Sequence, residues 1–532
     1  MKFHLVFISL LVLAYGSDIR NPKFPNDELY SSSILGYLKL FELEKQFMTH
    51  VKGYGDALQE KLDTLKLHLK TIDRKAHKTQ AGRDKYISNP LKAFSLLRRL
   101  REDWIRLQVY TKAKPGKGEL DAMKKLLDRK QNFEDLQEGL RGLSRIEQTY
   151  DLNAVDISQG RLLNQEFNKE LSLRDCLAIA NHKYQSGDYT RAAVWYRQAI
   201  KHKDEPNSEV YNEALGKPAA GLRRKYAMAC LMHATHIRYP SLNHKELQAE
   251  VDKILREKSS IDLEKFVRQL LEQDVNEFIQ EAEQVKPPTT DHDLGCRGLF
   301  KKRTNLSCRY NFTTTPFLRL APLKMEEINH DPYIVMYHNM ISDREIEEMK
   351  RLSVNMSNGF SGVTSQNQTE SIEVVARVAW LVEKTPFLER INQRITDMTG
   401  LDVNEFRAVQ IANYGLGNYF KPHYDYMYGN RIQMNSIDGL GDRMGSLIFY
   451  TGDVPQGGMT VFPNIQVAVE PQKGNSLFWY NIFDDGTPDP RTLHSVCPVI
   501  VGDRWTITKW LHMASQIFTK PCSPKKKLYY KA

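Results

Sequence analysis

The chain has 532 residues, 41% hydrophobic and 26% charged, which is ordinary for a folded globular protein and too long for one hydrophobic core. Lys and Arg number 75 against 65 Asp and Glu, a net charge of +10. No nucleic-acid-binding motif accompanies that charge, so nucleic acid is not expected as a partner. Beyond the first residues no apolar run reaches the roughly 18 residues of a membrane span.

The opening MKFHLVFISLLVLAYG carries Lys2, an apolar run from Phe3 to Ala14, and small residues at Ala14 and Gly16. That pattern predicts a signal peptide over 1–16 and a mature protein in the secretory pathway. Four N-x-S/T sequons agree with a glycosylating lumen: Asn305, Asn311, Asn355 and Asn367. An oxidising lumen permits disulfides, and six cysteines allow fifteen full pairings. Proximity favours Cys296 with Cys308. Cys497 and Cys522 flank the C-terminal segment. Cys176 and Cys230 lie in helical sequence and read as free, buried thiols.

Residues 17–150 read as helical. From Ile34 to Lys70, the positions Ile34, Phe41, Met48, Leu62 and Leu69 fall seven or fourteen apart, and Tyr37, Val51, Leu58 and Leu65 fill a second seam. The pattern fits a coiled-coil association surface, and equally a helix packed within its own domain. Further helices are expected around Leu96–Leu107 and from Leu120 to Tyr150.

Residues 151–284 change character. DCLAIANHKYQSGDYTRAAVWYRQAI places small residues where two helices would touch, with Gly187-Asp188 at the turn. It resembles one tetratricopeptide repeat, which needs neighbours to cover its face. RRKYAMACLMHATH offers a first helix of a second copy, without a Gly-Asp turn after it. Repeats of this kind bind extended peptides, and Tyr184, Tyr189, Trp195 and Tyr196 are the candidate groove residues. Core packing is the alternative for each.

Val285-Lys-Pro-Pro-Thr-Thr opens a linker over 285–330 that carries Cys296, Cys308, Asn305 and Asn311. In 331–532, helices are expected at Asp343–Leu352 and Pro386–Thr399. Then come seven short runs: AVQIANY, SLIFYTG, TVFPN, QVAVEP, NSLFWYN, PVIVG and RWTITKWLH. Short runs between turn residues predict a β-sandwich or jelly-roll barrel.

The chemistry is concentrated there. His423 and Asp425 are two apart, so on a strand they share a face. His494, before a later strand, is the best third arm. Two imidazoles and one carboxylate form the facial triad of non-haem Fe(II) oxygenases, which leaves positions open for a cosubstrate and O₂. A 2-oxoglutarate cosubstrate needs a cation for its far carboxylate, and Arg504 lies ten residues after His494 on the following strand. Lys509 has the opposite parity and is expected to face away. His512 shares the parity of Arg504.

QIANYGLGNYFKPHYDY, GGMTVFP, FWYNIF, TLHSVCPVIVGDRW and KWLH resemble the catalytic domain of the collagen prolyl 4-hydroxylase α subunit. SILGYLKLFELEKQFMTHVKGY resembles that family's dimerisation helix, and LSRIEQTYDLNAVDISQGRL with the repeat resembles its linker and peptide-binding domain. The resemblance implies an α+β multidomain protein. Its helical N-terminal half would hold a coiled-coil dimerisation region and a tetratricopeptide-like repeat, and its C-terminal half a double-stranded β-helix (jelly-roll) dioxygenase.

It implies Fe(II) on His423, Asp425 and His494, 2-oxoglutarate on Arg504 with Tyr414 in contact, and His512 as a catalytic histidine. It implies disulfides Cys296–Cys308 and Cys497–Cys522. It further implies O₂, L-ascorbate, a collagen-like peptide substrate, and protein disulfide-isomerase as β subunit of a heterotetramer in the endoplasmic reticulum lumen. The activity would be procollagen-proline 4-dioxygenase, converting 2-oxoglutarate to succinate. One departure stands out: the family's usual cosubstrate cation is lysine, and here it is Arg504. Rival readings are a sister oxygenase acting on lysine or a non-collagen peptide, an inactive peptide-binding subunit, and a structural coiled-coil protein.

Overall fold

The computed structural model describes residues 30–128, 133–163, 165–202, 213–216, 221–256, 260–273, 289–354, 359–360, 374–427 and 439–520. The expected signal peptide, the sequons at Asn355 and Asn367, and Cys522 lie outside the described residues. The chain divides into two compact units: Leu35–Asn132, and Met1–Ile34 with Phe133–Ala532.

The smaller unit is helical. Helix α1 (Ile34–Lys70) is followed by α2 (Gln80–Ile87), α3 (Pro90–Arg98), α4 (Trp104–Lys112) and α5 (Lys117–Asp128). Side-chain oxygens of Thr79 and Asn89 accept from the free N–H groups that open α2 and α3, and Pro90 begins α3 where no donor is missed. On α1, the heptad residues Phe41, Met48, Val51, Leu58, Leu62 and Leu69 are all exposed. Ile34, Tyr37 and Leu65 are half-buried, so most of the repeating apolar face, but not all of it, is uncovered in a single chain.

The larger unit starts with α6 (Phe133–Thr149), α7 (Ala154–Ser158) and a hairpin of β1 (Arg161–Leu162) and β2 (Gln165–Glu166). Helices α8 (Leu173–Gln185) and α9 (Tyr189–Lys201) are the repeat. Ser172 and Asp175 form a capping box, and Asp188 caps α9 after Gly187 turns the chain at φ +85°. Ala180, Ala192, Ala193 and Ala199 are fully buried, so the two helices approach closely. The array continues with α10 (Leu222–Arg238), α11 (His244–Arg256) and α12 (Ser260–Glu272). Met232, Leu247, Val251 and Leu255 share a core, so α10 and α11 pair without the Gly-Asp turn.

The rest is mostly strand. The stretch expected to be a linker instead supplies α13 (Asp291–Cys296), β3 (Cys308–Asn311) and β4 (Leu323–Asn329). β4 pairs with β3 on one side and β5 on the other, between turn-rich flanks. Then follow β5 (Ile334–Tyr337), α14 (Asp343–Val354), β6 (Gly359–Phe360), β7 (Arg377–Leu381), α15 (Pro386–Thr399), β8 (Val409–Tyr414) and β9 (Phe420–His423). The C-terminal strands are β10 (Arg443–Tyr450), β11 (Gln456–Gly457), β12 (Thr460–Phe462), β13 (Val467–Val469), β14 (Ser476–Tyr480), β15 (His494–Val496), β16 (Val499–Val501) and β17 (Arg504–His512). Each of the seven expected runs contains one.

A nine-stranded sheet, β3-β4-β5-β14-β10-β17-β8-β7-β6, faces a four-stranded sheet, β13-β12-β15-β9. Between them Met336, Ile448, Tyr450, Phe462, Val467, Leu477 and Trp479 form one core. Residues from both sheets interdigitate there, as in a jelly roll.

One disulfide differs from expectation. Cys296 pairs with Cys497, across 201 residues, with a Cα–Cα distance of 5.6 Å. Cys308 starts the edge strand β3 and is exposed, so neither Cys296–Cys308 nor Cys497–Cys522 forms. Short spacing favours encounter in an open chain, but the fold places α13 against β12, the neighbour of β15. Cys230 is a buried free thiol, as expected, and Cys176 is buried with its Sγ 4.0 Å from the Leu171 carbonyl.

Candidate active site

The candidate metal ligands come from the small sheet. β9 and β15 are antiparallel neighbours, and His423 lies directly opposite His494. Asp425 follows β9 by two residues. One donor atom from each of the three lies within 4.8 Å of the others. The Nε2 atoms of His423 and His494 stand 3.7 and 3.6 Å from the two oxygens of Asp425.

Backbone carbonyls fix both rings. Nδ1 of His423 is 2.7 Å from the Lys421 carbonyl, and Nδ1 of His494 is 3.0 Å from that of Thr492. Each Nδ1 therefore carries the proton, and each Nε2 presents a lone pair to the centre. Asp425 is held by Ser446, whose hydroxyl donates to Oδ2 at 2.6 Å, and Ser446 in turn accepts from Asn481 at 2.8 Å. Ser446 and Asn481 are wholly buried.

Protonation states suit a cation. Burial, and then the neighbouring His494, hold His423 far below the usual imidazole range. Burial alone would raise Asp425, but His494, His423 and Arg443 keep it lowered and ionised. Two imidazoles with a carboxylate are a donor set that Fe(II) takes.

Arg504 lies deeper and is 1% exposed. It sits opposite Tyr414 in the β17–β8 register, with the Tyr414 and Tyr450 rings 5.2 and 5.5 Å from its guanidinium carbon. One Nη donates to the Thr460 hydroxyl at 3.1 Å, while Nε is buried without a hydrogen-bond partner. A buried guanidinium with spare donors is costly unless a ligand anion completes it. The far carboxylate of 2-oxoglutarate fits that need.

Lys509 faces the other way, as its parity requires. Its Nζ donates to the Phe406 and Ala408 carbonyls beneath the Phe406 ring. His512 pairs with Arg443 across β10–β17, packs edge-on against Phe406 at 5.3 Å, and has Nδ1 3.0 Å from the Gly441 carbonyl. Arg443 has no counterpart in the sequence reading. Its guanidinium lies 4.0 Å over Trp510, and its charge acts on His423, Asp425 and His512 alike. A signal for it exists: Arg443 opens a strand whose next residues of that face are buried. Ser446 and Asn481 carry no readable signal, being small polar residues in apolar runs.

The groove candidates separate. Trp195 is fully buried, its indole N–H donating to Glu147 at 3.1 Å, so it is core and not a groove wall. Tyr196 is 2% exposed and donates to Asn181, which makes it core as well. Their helical positions turn them toward α6 and α8 rather than outward. Tyr184 is half-buried and meets Tyr189 edge-on at 5.6 Å, beside His244.

Known proteins match both halves. Residues 33–164 match the family model described as "Prolyl 4-Hydroxylase alpha-subunit, N-terminal region", and 409–512 match "2OG-Fe(II) oxygenase superfamily". Prolyl 4-hydroxylase subunit alpha-1 of Gallus gallus is 30% identical over 93% of this chain and 98% of its own length. The chain belongs to the prolyl 4-hydroxylase α-subunit family. The human alpha-1 subunit is 29% identical over 93% of this chain and 95% of its own. The Caenorhabditis elegans alpha-2 subunit is 29% identical over 90% of each. The segment that matches the oxygenase model runs from β8 to the end of β17, and so contains His423, Asp425, His494 and Arg504.

Proposed function

We propose that this prolyl 4-hydroxylase α-subunit is the catalytic subunit of a procollagen-proline 4-dioxygenase. The observation that carries the reading is the His423, Asp425, His494 cluster together with buried Arg504, whose Nε has no partner. Bound Fe(II) supplies the O₂ and C–H chemistry through which 2-oxoglutarate is decarboxylated to succinate and proline C4 gains a hydroxyl. Arg504 and Thr460 anchor the far carboxylate, with Tyr414 and Tyr450 walling it from water. Ser446 and Asn481 keep Asp425 oriented. His512, paired with Arg443 across β10–β17, is the catalytic histidine of this reading. The peptide enters as an extended, proline-rich chain, whose preset shape lowers the entropy lost on docking. Tyr184 on the repeat is its aromatic contact, while Tyr189, 4% exposed, is core and supports the Tyr184 ring edge-on.

The same reading gives the protein a place. It works in the endoplasmic reticulum lumen, with protein disulfide-isomerase as β subunit and two copies of each chain. The uncovered face of α1 joins the two α subunits, and ascorbate restores iron oxidised in idle turnovers. Asn305, exposed just before β3, and Asn311, half-buried at its end, are two of the four glycan sites, with Asn355 and Asn367.

The test is co-expression with the isomerase, followed by mass spectrometry of a (Pro-Pro-Gly) peptide and a lysine-containing peptide. 4-Hydroxyproline should form with equimolar succinate, and His423→Ala should abolish both. Hydroxylysine in place of hydroxyproline would refute the substrate assignment. Product from His423→Ala would refute the metal site.

A further inference from the structure

Helix α6 and the residue just after it reach the segments that flank both strands carrying His423 and His494. Arg145 donates from Nε to the Gly417 carbonyl at 2.8 Å, and its guanidinium carbon lies 4.5 Å over the Tyr419 ring. Gly417 belongs to the turn that feeds β9. That turn is closed by Gly417 N–H on the Val499 carbonyl at 2.8 Å and by Gly415 N–H on the Asn418 side chain at 2.8 Å. Tyr419 is followed by Phe420, whose ring stacks on His423 with centroids 3.5 Å apart. Immediately beyond the end of α6, Tyr150 donates to the Pro498 carbonyl at 2.7 Å, just after β15.

The approach leaves no slack. A Cβ on Gly142 would come within 3.0 Å of the Leu416 carbonyl oxygen, and one on Gly417 would collide with the Gly142 backbone. Gly417 also has φ +65°, which suits glycine. The clamp itself is braced. Glu138, buried, receives hydrogen bonds from both Arg141 and Arg145. On the opposite face of α6, Leu140 and Leu143 pack into the repeat core, and Glu147 is ion-paired to buried Lys183 at 2.6 Å.

We infer that Arg145 is a positioning residue for the iron centre. It fixes the 415–419 turn against α6, and the turn sets Phe420 and His423. It touches neither substrate nor metal. Outer contacts of this kind typically change metal affinity by about 10–100-fold when removed.

This inference rests on the iron-site reading, and the experiment separates them. The full chain, co-expressed with its isomerase partner, is titrated with Fe(II) while 4-hydroxyproline formation and tryptophan fluorescence are followed. Trp479 lies 4.8 Å from His494 and reports occupancy. Arg145→Ala should raise the Fe(II) concentration for half-activation about tenfold. KM for the peptide should stay within about twofold at saturating iron, because a peptide contact would move it instead. Arg145→Lys, which keeps the cation and one donor, should recover much of the loss. An unchanged Fe(II) requirement in folded Arg145→Ala overturns the inference. If that variant does not fold, Tyr419→Leu decides in the same way: a raised requirement supports the inference and an unchanged one overturns it. Failure of the wild-type chain to need Fe(II) at all would sink the function reading itself.

Discussion

At the scale of single residues, two buried cations on one strand do opposite things. Arg504 points into the barrel with an empty donor, and Lys509 points out onto two carbonyls. Arg504→Ala should raise KM for 2-oxoglutarate by about 10–100-fold, the worth of a charged hydrogen-bond pair. Its Fe(II) requirement should stay near wild type, and steady-state kinetics with each ligand varied will check both. Lys509 carries a different consequence. Burial, and then Arg407, push its ammonium down from 10.5 to about 7. The unfolded chain therefore binds more protons than the folded one between those values, and stability rises with pH across the window. Thermal or denaturant unfolding of wild type against Lys509→Met should show wild type gaining up to about 1.4 kcal/mol per pH unit from about 7 to 10. A pH-independent difference would mean Lys509 is charged in the fold.

At the scale of elements, legibility follows locality. β17 and β10 can be read because each is a short, almost wholly buried run rich in aromatic and branched residues. His423 and Asp425 can be paired because strand parity alone puts them on one face. His494 needs a choice of which later strand neighbours β9, and the motif narrows that choice. Trp195 misleads because a helix exposes or buries an aromatic according to what packs beside it, and its partner on α6 is 48 residues upstream. Arg145 is invisible for the same reason, since its partner Gly417 is 272 residues away. The disulfide departs most plainly, because spacing favours Cys308 and topology chooses Cys497. Cys296→Ser should lower unfolding stability by about 2–5 kcal/mol, and Cys308→Ser should leave it near wild type; chemical denaturation of both variants tests this.

At the scale of the whole molecule, two kinds of surface are left open by a single chain. The first is the α1 face, where Met48 and Val51 among others stand exposed on a helix of 37 residues. A helix so long, with that much apolar surface in water, is expected to find another copy. Met48→Glu with Val51→Glu should halve the number of α subunits per assembly by light scattering, with hydroxylation per site little changed. The second is the sheet edge at β3, where exposed Tyr310 lies within the strand, Asn305 shortly precedes it and Asn311 ends it. Glycans there would blunt an otherwise adhesive edge.

The Cys296–Cys497 bond also has a meaning in time. Ribosomes add about 5–20 residues per second, so the Cys296 thiol waits about 10–40 s for a partner 201 residues downstream. Throughout that wait Cys308, a dozen residues along, is the nearest competitor. A bond formed quickly with Cys308 would be the wrong one, and reaching the right one from it would take exchange after the last strands arrive. A subunit whose final staple depends on thiol exchange matures best beside an enzyme that catalyses it, so the proposed partner would serve as midwife before it serves as subunit.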